Sequence, residues 1–457
     1  MARRRRHFGG DRLMHPASPR LVQPSSVTGG WYPWYVAGLL AMAHLVSFVD
    51  RFVLSLVMEP LKLDLGISDT ELGLLQGTGF VILYVVVAVP LGRMADQVNR
   101  RNLIVIGIVL WSIATALCGL ADSFGSLFLA RLGVGFGEAA LVPAAMSLLA
   151  TYFPKEKLGR AVSLFTTGAS LGKSAAMIGG GAVLALLVAQ GGLTLPMVGT
   201  LQPWQGTFVF MALPGLALAL IIALTLREPK RVQVADPLAK PGFGPAIAHA
   251  RAHRSAYIPH VAASVAVVLL IQTIAAWSAT FYVRLFDMTP SQAGLLVGSV
   301  ILVAAPLGHL SGGWLTDRFA RSGAPSPAAP VITIGLLGAV PAMLVFALSR
   351  DIATSVIAYG LLNFSLTLGS PASLAGVQML TPPAMRGVVT SVFLAIVTLV
   401  GIGLGPPLVG AITDFVFADP DKLNLSLLAM VLVVASFGAT MAMASRTAFG
   451  RTMRALE

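Results

Sequence analysis

The stretch Gly92-Arg-Met-Ala-Asp96-Gln-Val-Asn-Arg100-Arg101 follows one long apolar run, and Gly313-Trp-Leu-Thr-Asp317-Arg318 follows another. The glycine and the aspartate of the second stretch each lie 221 residues after their counterparts in the first. The same offset relates Gly73-Leu-Leu to Gly294-Leu-Leu, without a gap. A repeat of this kind, with a charged turn at the same place in each copy, predicts two homologous halves of a membrane protein.

The composition supports this interpretation. The 457 residues are 56% hydrophobic and only 11% charged, whereas a soluble domain carries about 25% charged residues. The chain instead contains many apolar runs of about 20 residues, the length that crosses a bilayer. The predicted fold class is an all-α membrane protein with twelve transmembrane helices in two six-helix pseudo-symmetric halves.

The boundaries of the two halves follow from the apolar runs and the breakers between them. The first half is predicted over 33–226 and the second over 256–445. Residues 1–32 form a disordered basic tail, 227–255 a cytoplasmic linker with a possible amphipathic helix on the inner leaflet, and 446–457 a C-terminal tail. The twelve predicted spans are 33–58, 70–92, 102–120, 124–152, 158–188, 204–226, 256–284, 290–316, 330–348, 352–380, 385–415 and 424–445.

The net charge of +12 is a property that nucleic-acid-binding proteins share, but its distribution indicates a membrane protein. Of the 31 Lys and Arg residues, 24 lie in the tails and in the turns on the same side as the tails, and 4 lie in the opposite turns. This bias follows the positive-inside rule. It predicts a multi-pass protein of the cell inner (plasma) membrane with both termini in the cytoplasm, and no nucleic-acid partner.

The turn after span 2 resembles the major facilitator superfamily, whose pattern there is G-x-x-x-D-[RK]-x-G-R-[RK]. Gln97 and Asn99 depart from that pattern. A carboxylate in this turn can face the positive N-terminus of a helix in the other half, and such a contact would latch the outward-open state. The alternative is a positive turn with an incidental aspartate. The predicted gating residues are Gly92, Asp96, Arg100, Arg101, Asp317 and Arg318.

Span 4 contains Arg131-Leu-Gly-Val-Gly-Phe-Gly-Glu138, which resembles the proton-transfer motif of the same superfamily. Seven residues make nearly two helical turns, so Arg131 and Glu138 share a face and their side chains can reach toward one another. Charges at membrane depth are costly and normally face a cavity or a partner. We predict that both residues take part in proton coupling; the alternative is a structural ion pair.

Span 1 contains Asp50 and Arg51 side by side. Adjacent residues point about 100° apart on a helix, so the two cannot serve one point. We expect one to pair with span 4 and the other to reach a central cavity. Asp50 is assigned to proton coupling and Arg51 to substrate binding, the alternative for Arg51 being a side chain that snorkels to the outer surface.

A longer set of motifs narrows the resemblance to the spinster branch of the superfamily. These motifs are Asp50-Arg51, Ile67-Ser-Asp69 leading into Gly73-Leu-Leu-Gln76, and Tyr152-Phe-Pro154 before span 5. Spinster-like proteins move lysophospholipids, phosphorylated sphingosine and related amphiphiles. The resemblance therefore implies a transporter of lipid-like cargo.

An asymmetry between the halves points to the same cargo independently. The first half carries charges inside its spans, Lys173 among them, whereas the middle of the second half offers neutral Gln272, Trp277 and Asn363. A cavity with one charged and one mostly apolar wall suits an amphiphilic anion or zwitterion. The predicted substrate-binding residues are Arg51, Lys173 and Asn363.

The expected partners are an amphiphilic small molecule, protons and membrane lipids, for a protein that works as a monomer without a cofactor. A proton symporter of small organic or sugar acids is the alternative, since superfamily members for sugar acids also carry an arginine in span 1. A transport-inactive receptor or scaffold is disfavoured, because it gains nothing from costly buried charges.

Enzyme motifs in span 5 are incomplete, so no catalytic activity is predicted. Thr167-Gly-Ala-Ser-Leu-Gly-Lys173-Ser174 nearly matches a phosphate-binding loop, and Gly168-Ala-Ser-Leu-Gly172 matches a hydrolase elbow, but neither follows a strand. His44 and His309 are interpreted as hydrogen-bonded wall residues in preference to proton relays. No cluster of residues has the spacing of metal ligands.

Overall fold

The computed structural model describes residues 30–95, 97–196, 198–229 and 243–456, without the side chains of Val89 and Lys155. These residues contain 12 helices that are long and apolar enough to cross a membrane, so the predicted fold class is confirmed. Spans 1 to 6 are Tyr32–Leu65, Asp69–Gln76 with Thr78–Ala95, Arg100–Cys118, Phe124–Glu138 with Leu141–Tyr152, Lys155–Ala189 and Pro203–Thr225. Spans 7 to 12 are Arg254–Phe286, Pro290–Arg321, Ala328–Leu348, Ile352–Met379, Arg386–Ala411 with the π turn Ile412–Phe417, and Leu423–Arg454.

The predicted C-terminal tail is largely a continuation of span 12. The sequence predicts a C-terminal tail over 446–457, whereas the helix continues to Arg454. The side chain of Phe449 is fully buried, and Gly450 lies against Pro325 in the turn before span 9. Packing against this turn covers the last turns of span 12.

Between the halves, residues Phe243–Ala252 form a short helix inside the predicted linker. Ala246 is buried against the bundle, whereas the large side chains of Phe243 and Ile247 are about half exposed. An apolar side that faces outward from the bundle fits the amphipathic helix that the sequence predicts. Residues 230–242 of the linker and residues 1–29 of the basic tail lie outside the described residues.

A small hairpin joins spans 5 and 6, where the sequence analysis predicted only a loop. Strand β1, Leu193–Leu195, pairs antiparallel with β2, Gly199–Leu201, and Leu193 faces Leu201 in the register. Strands of three residues are too short for the alternation of apolar and polar side chains to predict them.

Within the first half, spans 1 and 5 approach each other through glycines of the enzyme-like stretch in span 5. A Cβ atom at Gly168 would collide with the backbone of Ala41, and one at Gly172 would collide with the backbone of Leu45. Small residues of this kind let membrane helices pack backbone to backbone. Gly168 and Gly172 therefore serve helix packing.

The two halves touch most closely at one end of the bundle, through the repeated glycines. A Cβ atom at Gly73 in span 2 would lie 2.6 Å from the carbonyl oxygen of Pro406 in span 11. Its counterpart Gly294 in span 8 approaches the carbonyl oxygen of Met177 in span 5, at 2.7 Å from a Cβ. We call this end, which carries the turns after spans 1 and 7, the outer end. The outer end is closed in this structure.

A group of ionic contacts, here called the outer clasp, seals this end. It consists of Glu59, Lys62 and Asp69 from the first half, and Arg284 and Asp414 from the second. The Arg284 guanidinium donates to both oxygens of Asp69, at 2.7 and 2.8 Å, and to Glu59 at 2.9 Å. Lys62 also donates to Asp69, at 2.6 Å. The side chains of Asp69 and Arg284 are 0% and 4% exposed, so this is a buried ion pair.

The Asp414 carboxylate adds a second link between the halves. It accepts hydrogen bonds from the backbone N–H of Thr70 at 2.7 Å and of Asp69 at 3.3 Å, and from the Thr70 hydroxyl at 2.6 Å. These groups lie at the start of span 2, where the backbone N–H groups lack partners within the helix. A carboxylate of one half therefore caps a helix of the other half.

We predict that Asp69→Asn opens the outer end. Removing one partner of a buried ion pair costs roughly 3–5 kcal/mol. Because the pair forms when the outer end is closed, the substitution should destabilise the closed state relative to the open one. Spin labels are attached at Leu63→Cys and Phe415→Cys, which are exposed and lie one in each half. Cys118→Ala removes the native cysteine. Double electron–electron resonance then measures the distance between the two labels at the outer end. The distance distribution should shift to longer values.

Asp351→Asn is the matched control for this experiment. Asp351 is also an outer carboxylate, but it caps its own helix by accepting from the N–H of Thr354 at 2.8 Å. The control should leave the distance distribution unchanged. An equal distribution in Asp69→Asn and in the parent protein would contradict the role of the outer clasp.

Candidate substrate and proton site

The centre of the first half holds an ion pair between spans 1 and 4. Arg51 Nη2 lies 2.5 Å from Glu138 Oε2, and the Ser47 hydroxyl donates to the same oxygen at 2.8 Å. Arg51 and Glu138 are 6% and 1% exposed. Glu138 Oε1 and Arg51 Nε have no hydrogen-bond partner among the described residues. The pair thus keeps unused bonding capacity on both partners.

Aromatic rings surround the Arg51 guanidinium. Its central carbon lies 4.0 Å from the ring centre of Phe80, 4.6 Å from that of Phe48 and 5.6 Å from that of Tyr84. Ring faces attract cations, and this attraction is stronger where water is excluded. The rings hold the guanidinium in place without supplying a competing anion.

Arg131 has a different partner from the one that the sequence predicted. Its spacing to Glu138 indicated a mutual contact, but Arg131 donates to the backbone carbonyl of Leu75 at 3.2 Å and to those of Asp50 and Arg51 at 3.4 Å each. Two residues on one face of a helix can still contact different neighbouring spans, and the sequence does not determine which span each of them contacts. Arg131 joins spans 1, 2 and 4, and Arg51 takes Glu138.

Asp50 also differs from the expectation. We expected either Asp50 or Arg51 to pair with span 4 and the other to reach the cavity. Arg51 does both, whereas Asp50 is fully buried and neither of its carboxylate oxygens has a hydrogen-bond partner among the described residues. The structure thus places a second, fully buried carboxylate near the ion pair.

Two adjoining cavities meet at Arg51. The central cavity, of about 240 Å³, lies between the halves, and the side cavity, of about 190 Å³, lies against Glu138. Both are lined by Arg51, Phe48 and Ile402. The predicted substrate-binding residues Arg51, Lys173 and Asn363 all line the central cavity, so the structure brings them together.

Lys173 connects the two halves across the central cavity. Its ammonium group donates to Gln272 Oε1 in span 7 at 2.9 Å and lies 4.8 Å from the ring centre of Phe52. Within the described residues, no carboxylate forms a salt bridge with Lys173. A cation held by a neutral amide and a ring can exchange these partners for an anion that enters the cavity.

The wall that the second half contributes is more polar than predicted. Trp277 is absent from it, because this side chain is fully buried and its indole N–H donates to the Pro406 carbonyl. His309 and Thr367 line the central cavity instead, beside apolar residues such as Ile271 and Ile301. Helical periodicity alone did not distinguish the side of a span that packs from the side that faces the cavity.

Both histidines are hydrogen-bonded wall residues, as predicted. His44 Nδ1 lies 3.0 Å from the Phe165 carbonyl oxygen, and its ring stacks on that of Phe165 at 4.2 Å. His309 Nδ1 lies 2.8 Å from the Ala305 carbonyl oxygen. His44 lines the side cavity and His309 the central cavity.

Of the predicted gating residues near span 2, Arg100 and Arg101 bond within the first half or just after it. Arg100 donates to Glu228 at 2.8 Å and to Thr151 at 2.8 Å, both in the first half or just after it. The Arg101 backbone N–H also donates to Glu228. Gly92 has open space around it, with only Pro143 near a Cβ, at 3.9 Å. Asp96 lies outside the described residues.

In the second copy of the gating motif, Asp317 and Arg318 are exposed. Arg318 lies over the Trp314 ring, and no salt bridge of Asp317 occurs within the described ranges. The sequence analysis missed the opposite set, the outer clasp. The opposite charges of Asp69 and Arg284, at the outer ends of spans in different halves, could have predicted this contact.

The family model described as Major Facilitator Superfamily matches residues 40–406. The chain belongs to the major facilitator superfamily. An MFS-type efflux pump of Mycolicibacterium smegmatis is 28% identical over 405 residues, which cover 88% of this chain and 89% of that protein. Protein spinster homolog 1 of Xenopus tropicalis is 25% identical over 399 residues, which cover 82% and 72%.

A solved structure has the same fold. It is described as a bacterial homologue of the human lysosomal transporter spinster in an inward-facing and unoccupied conformation. It superimposes with a TM-score of 0.77 at 24% identity and covers 94% of this chain and 98% of its own. The predicted resemblance to the spinster branch is confirmed. This chain is a transporter of the major facilitator superfamily that is similar to the spinster proteins, and its fold works by alternating access.

We predict that Arg131→Met destabilises the protein more than any surface arginine variant. The change removes hydrogen bonds from a charged donor to buried carbonyls, each worth about 1.5–3 kcal/mol. The thermal unfolding temperature of the purified protein in detergent should fall by several degrees or more.

Arg386→Met provides the control for this measurement. Arg386 also donates to two backbone carbonyls, those of Gln378 and Thr381, but it is exposed. Its loss should cost less than about 1 kcal/mol. Equal unfolding temperatures for Arg131→Met and Arg386→Met would show that Arg131 does not hold the spans together.

Proposed function

We propose that this transporter moves an amphiphilic, lipid-like anion or zwitterion, of lysophospholipid or sphingoid type, in a cycle coupled to protons. The observation that carries the proposal is the position of Arg51. One guanidinium pairs with Glu138 and lines the central cavity at the same time. A cargo anion and the Glu138 carboxylate therefore compete for one cation.

This competition links cargo to protons. When a cargo anion takes Arg51, Glu138 loses its salt-bridge partner, and an ionised carboxylate without a partner is costly at this depth. Binding of the anion thus favours proton uptake by Glu138, and by thermodynamic reciprocity the bound proton favours the anion. Arg131 positions this pair by fixing the backbone of span 1 at Asp50 and Arg51.

Asp50 serves as a second proton carrier in the proposed cycle. Its carboxylate is fully buried beside the ion pair and lacks a hydrogen-bond partner among the described residues. A buried carboxylate with no partner is stable only where its charge can be neutralised. The proton is the group that can reach it.

The lining of the central cavity supports an amphiphile. The head group would meet Arg51 and Lys173, with Asn363 opposite. Apolar side chains occupy the remaining lining, namely Val268, Ile271, Ala275, Ile301 and Ala305. Each buried methylene of a cargo tail contributes about 0.8 kcal/mol.

The gating residues complete the proposed cycle. In the proposed cycle, closure of the outer clasp corresponds to an inward-facing state, in which the gating residues of the two halves are apart. Opening of the outer end would bring the halves together at the inner end, where Asp96 and Asp317 would face helix N-termini of the opposite half. Arg100, Arg101 and Arg318 are the available partners of these carboxylates, and Gly92 lets the helices approach closely.

A proton symporter of small organic or sugar acids is the second candidate. The observation in its favour is size, since the central and side cavities are smaller than the roughly 300–1,000 Å³ of pockets for drug-sized ligands. In addition, a probable L-galactonate transporter of Escherichia coli is 25% identical over 196 residues, 43% of this chain and 40% of that protein.

We also propose that the protein works in the inner membrane as a monomer surrounded by lipid.

We predict that Glu138→Gln abolishes accumulation of cargo driven by a pH gradient. The amide cannot exchange a proton, so the gradient loses its connection to Arg51. Proteoliposomes with an imposed gradient measure accumulation, and exchange of labelled for unlabelled cargo without a gradient measures transport itself. Exchange should persist within a few-fold of the parent protein.

Glu156→Gln, an exposed glutamate at the inner end of span 5, controls for the change of charge and should accumulate cargo normally. Uphill accumulation by Glu138→Gln would remove Glu138 from the coupling mechanism.

We predict that affinity rises with acyl-chain length in a series of amphiphiles with one phosphate head group. The slope should approach a few-fold per methylene at about 0.8 kcal/mol each, until the cavity is filled. Arg51→Ala should weaken binding of every member, because each shares the head group. Displacement of a fluorescent lysolipid from the purified protein gives the affinities.

Arg386→Ala, at the exposed inner turn, is the control and should bind the whole series normally. Affinities that are flat with chain length, or best for the head group without a tail, would favour the small-acid transporter.

A further inference from the structure

The tautomer of His309 is fixed by the backbone. Its Nδ1 lies 2.8 Å from the carbonyl oxygen of Ala305 in the same span. A carbonyl oxygen only accepts hydrogen bonds, so Nδ1 carries a hydrogen atom. In the neutral ring, Nε2 is then an acceptor. The ring lines the central cavity, so this acceptor belongs to the surface that the cargo meets.

Neighbouring groups in span 10 direct their hydrogen atoms in the same way. The Thr367 hydroxyl donates to the Asn363 carbonyl at 2.7 Å, and Asn363 Nδ2 donates to the Tyr359 carbonyl at 3.0 Å. The Thr367 oxygen can therefore only accept from the cavity. Spans 8 and 10 together present an acceptor surface, which we define by Nε2 of His309, the side-chain oxygen of Asn363 and the hydroxyl oxygen of Thr367. The second amide hydrogen of Asn363 remains a donor beside them.

The opposite side of the cavity has the reverse character. Arg51 and Lys173 are donors only. Gln272 uses its one oxygen to accept from Lys173, which leaves its amide N–H groups for other partners. Cations and donors thus face acceptors across the central cavity.

We propose that His309 Nε2 accepts a hydrogen bond from an N–H or O–H group on the cargo head group. This inference rests on the proposed function and narrows its cargo to anions that also carry a hydrogen-bond donor. A phosphoethanolamine head meets both requirements, with its phosphate at Arg51 and Lys173 and its ammonium at His309. A phosphocholine head has the same charges, but its nitrogen carries no hydrogen atom.

A methylation series of one lysolipid tests this inference. The probes are lysophosphatidylethanolamine and its N-methyl, N,N-dimethyl and N,N,N-trimethyl forms, all with the same acyl chain. Affinity for the purified protein is measured by displacement of a fluorescent lysolipid. The last methylation removes the last N–H at constant charge, and it should weaken binding tenfold or more, as expected for a bond from a charged donor.

Two variants of His309 connect this discrimination to Nε2. His309→Phe keeps a ring of similar size but has no acceptor, so all four head groups should bind within about twofold of one another. His309→Gln can accept through its amide oxygen at a similar distance from the backbone. It should retain part of the preference and show that the loss in His309→Phe is not a folding defect.

His44→Phe is the matched control, because His44 also bonds a backbone carbonyl through Nδ1 but lines the side cavity. It should keep the tenfold preference of the parent protein. Equal affinity for the dimethyl and trimethyl forms in the parent protein, or a preference that survives His309→Phe, would overturn the role of His309 and leave the proposed function intact. Failure of all four lysolipids to bind would overturn the proposed function and this inference together.

Discussion

A guanidinium in the middle of an apolar bundle needs an anion, and the pairing of Arg51 with Glu138 satisfies this need. The two residues come from spans 1 and 4, and their contact at 2.5 Å is buried. Much of the first half is arranged around it: Ser47 bonds the carboxylate, Phe80 and Phe48 flank the cation, and Arg131 fixes the backbone on which Arg51 stands. In the proposed cycle an anion in the cavity substitutes for Glu138, so one electrostatic requirement would provide both cohesion of the bundle and sensitivity to cargo.

The second half contributes neutral polar side chains to the cavity, opposite the charged side chains of the first half. Gln272 accepts a hydrogen bond from Lys173. The side chains of His309 and Thr367 donate to backbone carbonyls of their own spans, 8 and 10. Because this wall carries no charge, the net charge of the cavity in the proposed cycle depends on the first half, the cargo and the protons. The division of work between a charged half and a neutral half also explains why duplicated halves, still matched at Gly73 and Gly294, no longer carry the same residues at their centres.

The sequence predicted the architecture well because hydrophobic length and the fixed offset of the repeat are properties of the chain itself. It also identified Arg51, Lys173 and Asn363, which the structure places in one cavity. It predicted the wrong partner for Arg131, because helical spacing defines a shared face and leaves open which neighbouring helix packs there. It missed the outer clasp for another reason: Asp69 and Arg284 meet across the halves in one conformation, and a contact that depends on conformation leaves no periodic pattern.

The burial of the outer clasp has a consequence for the medium that the protein faces. Mobile ions weaken exposed charge pairs beyond a Debye length of about 8–10 Å at 0.1–0.15 M salt, but they act far less on pairs that water does not reach. Asp69 and Arg284 meet in such a place, with 0% and 4% of their side chains exposed. A change in the salt concentration at the outer end would therefore leave the closed state of that end nearly unchanged, a form of tolerance to salinity that a clasp on the surface would lack.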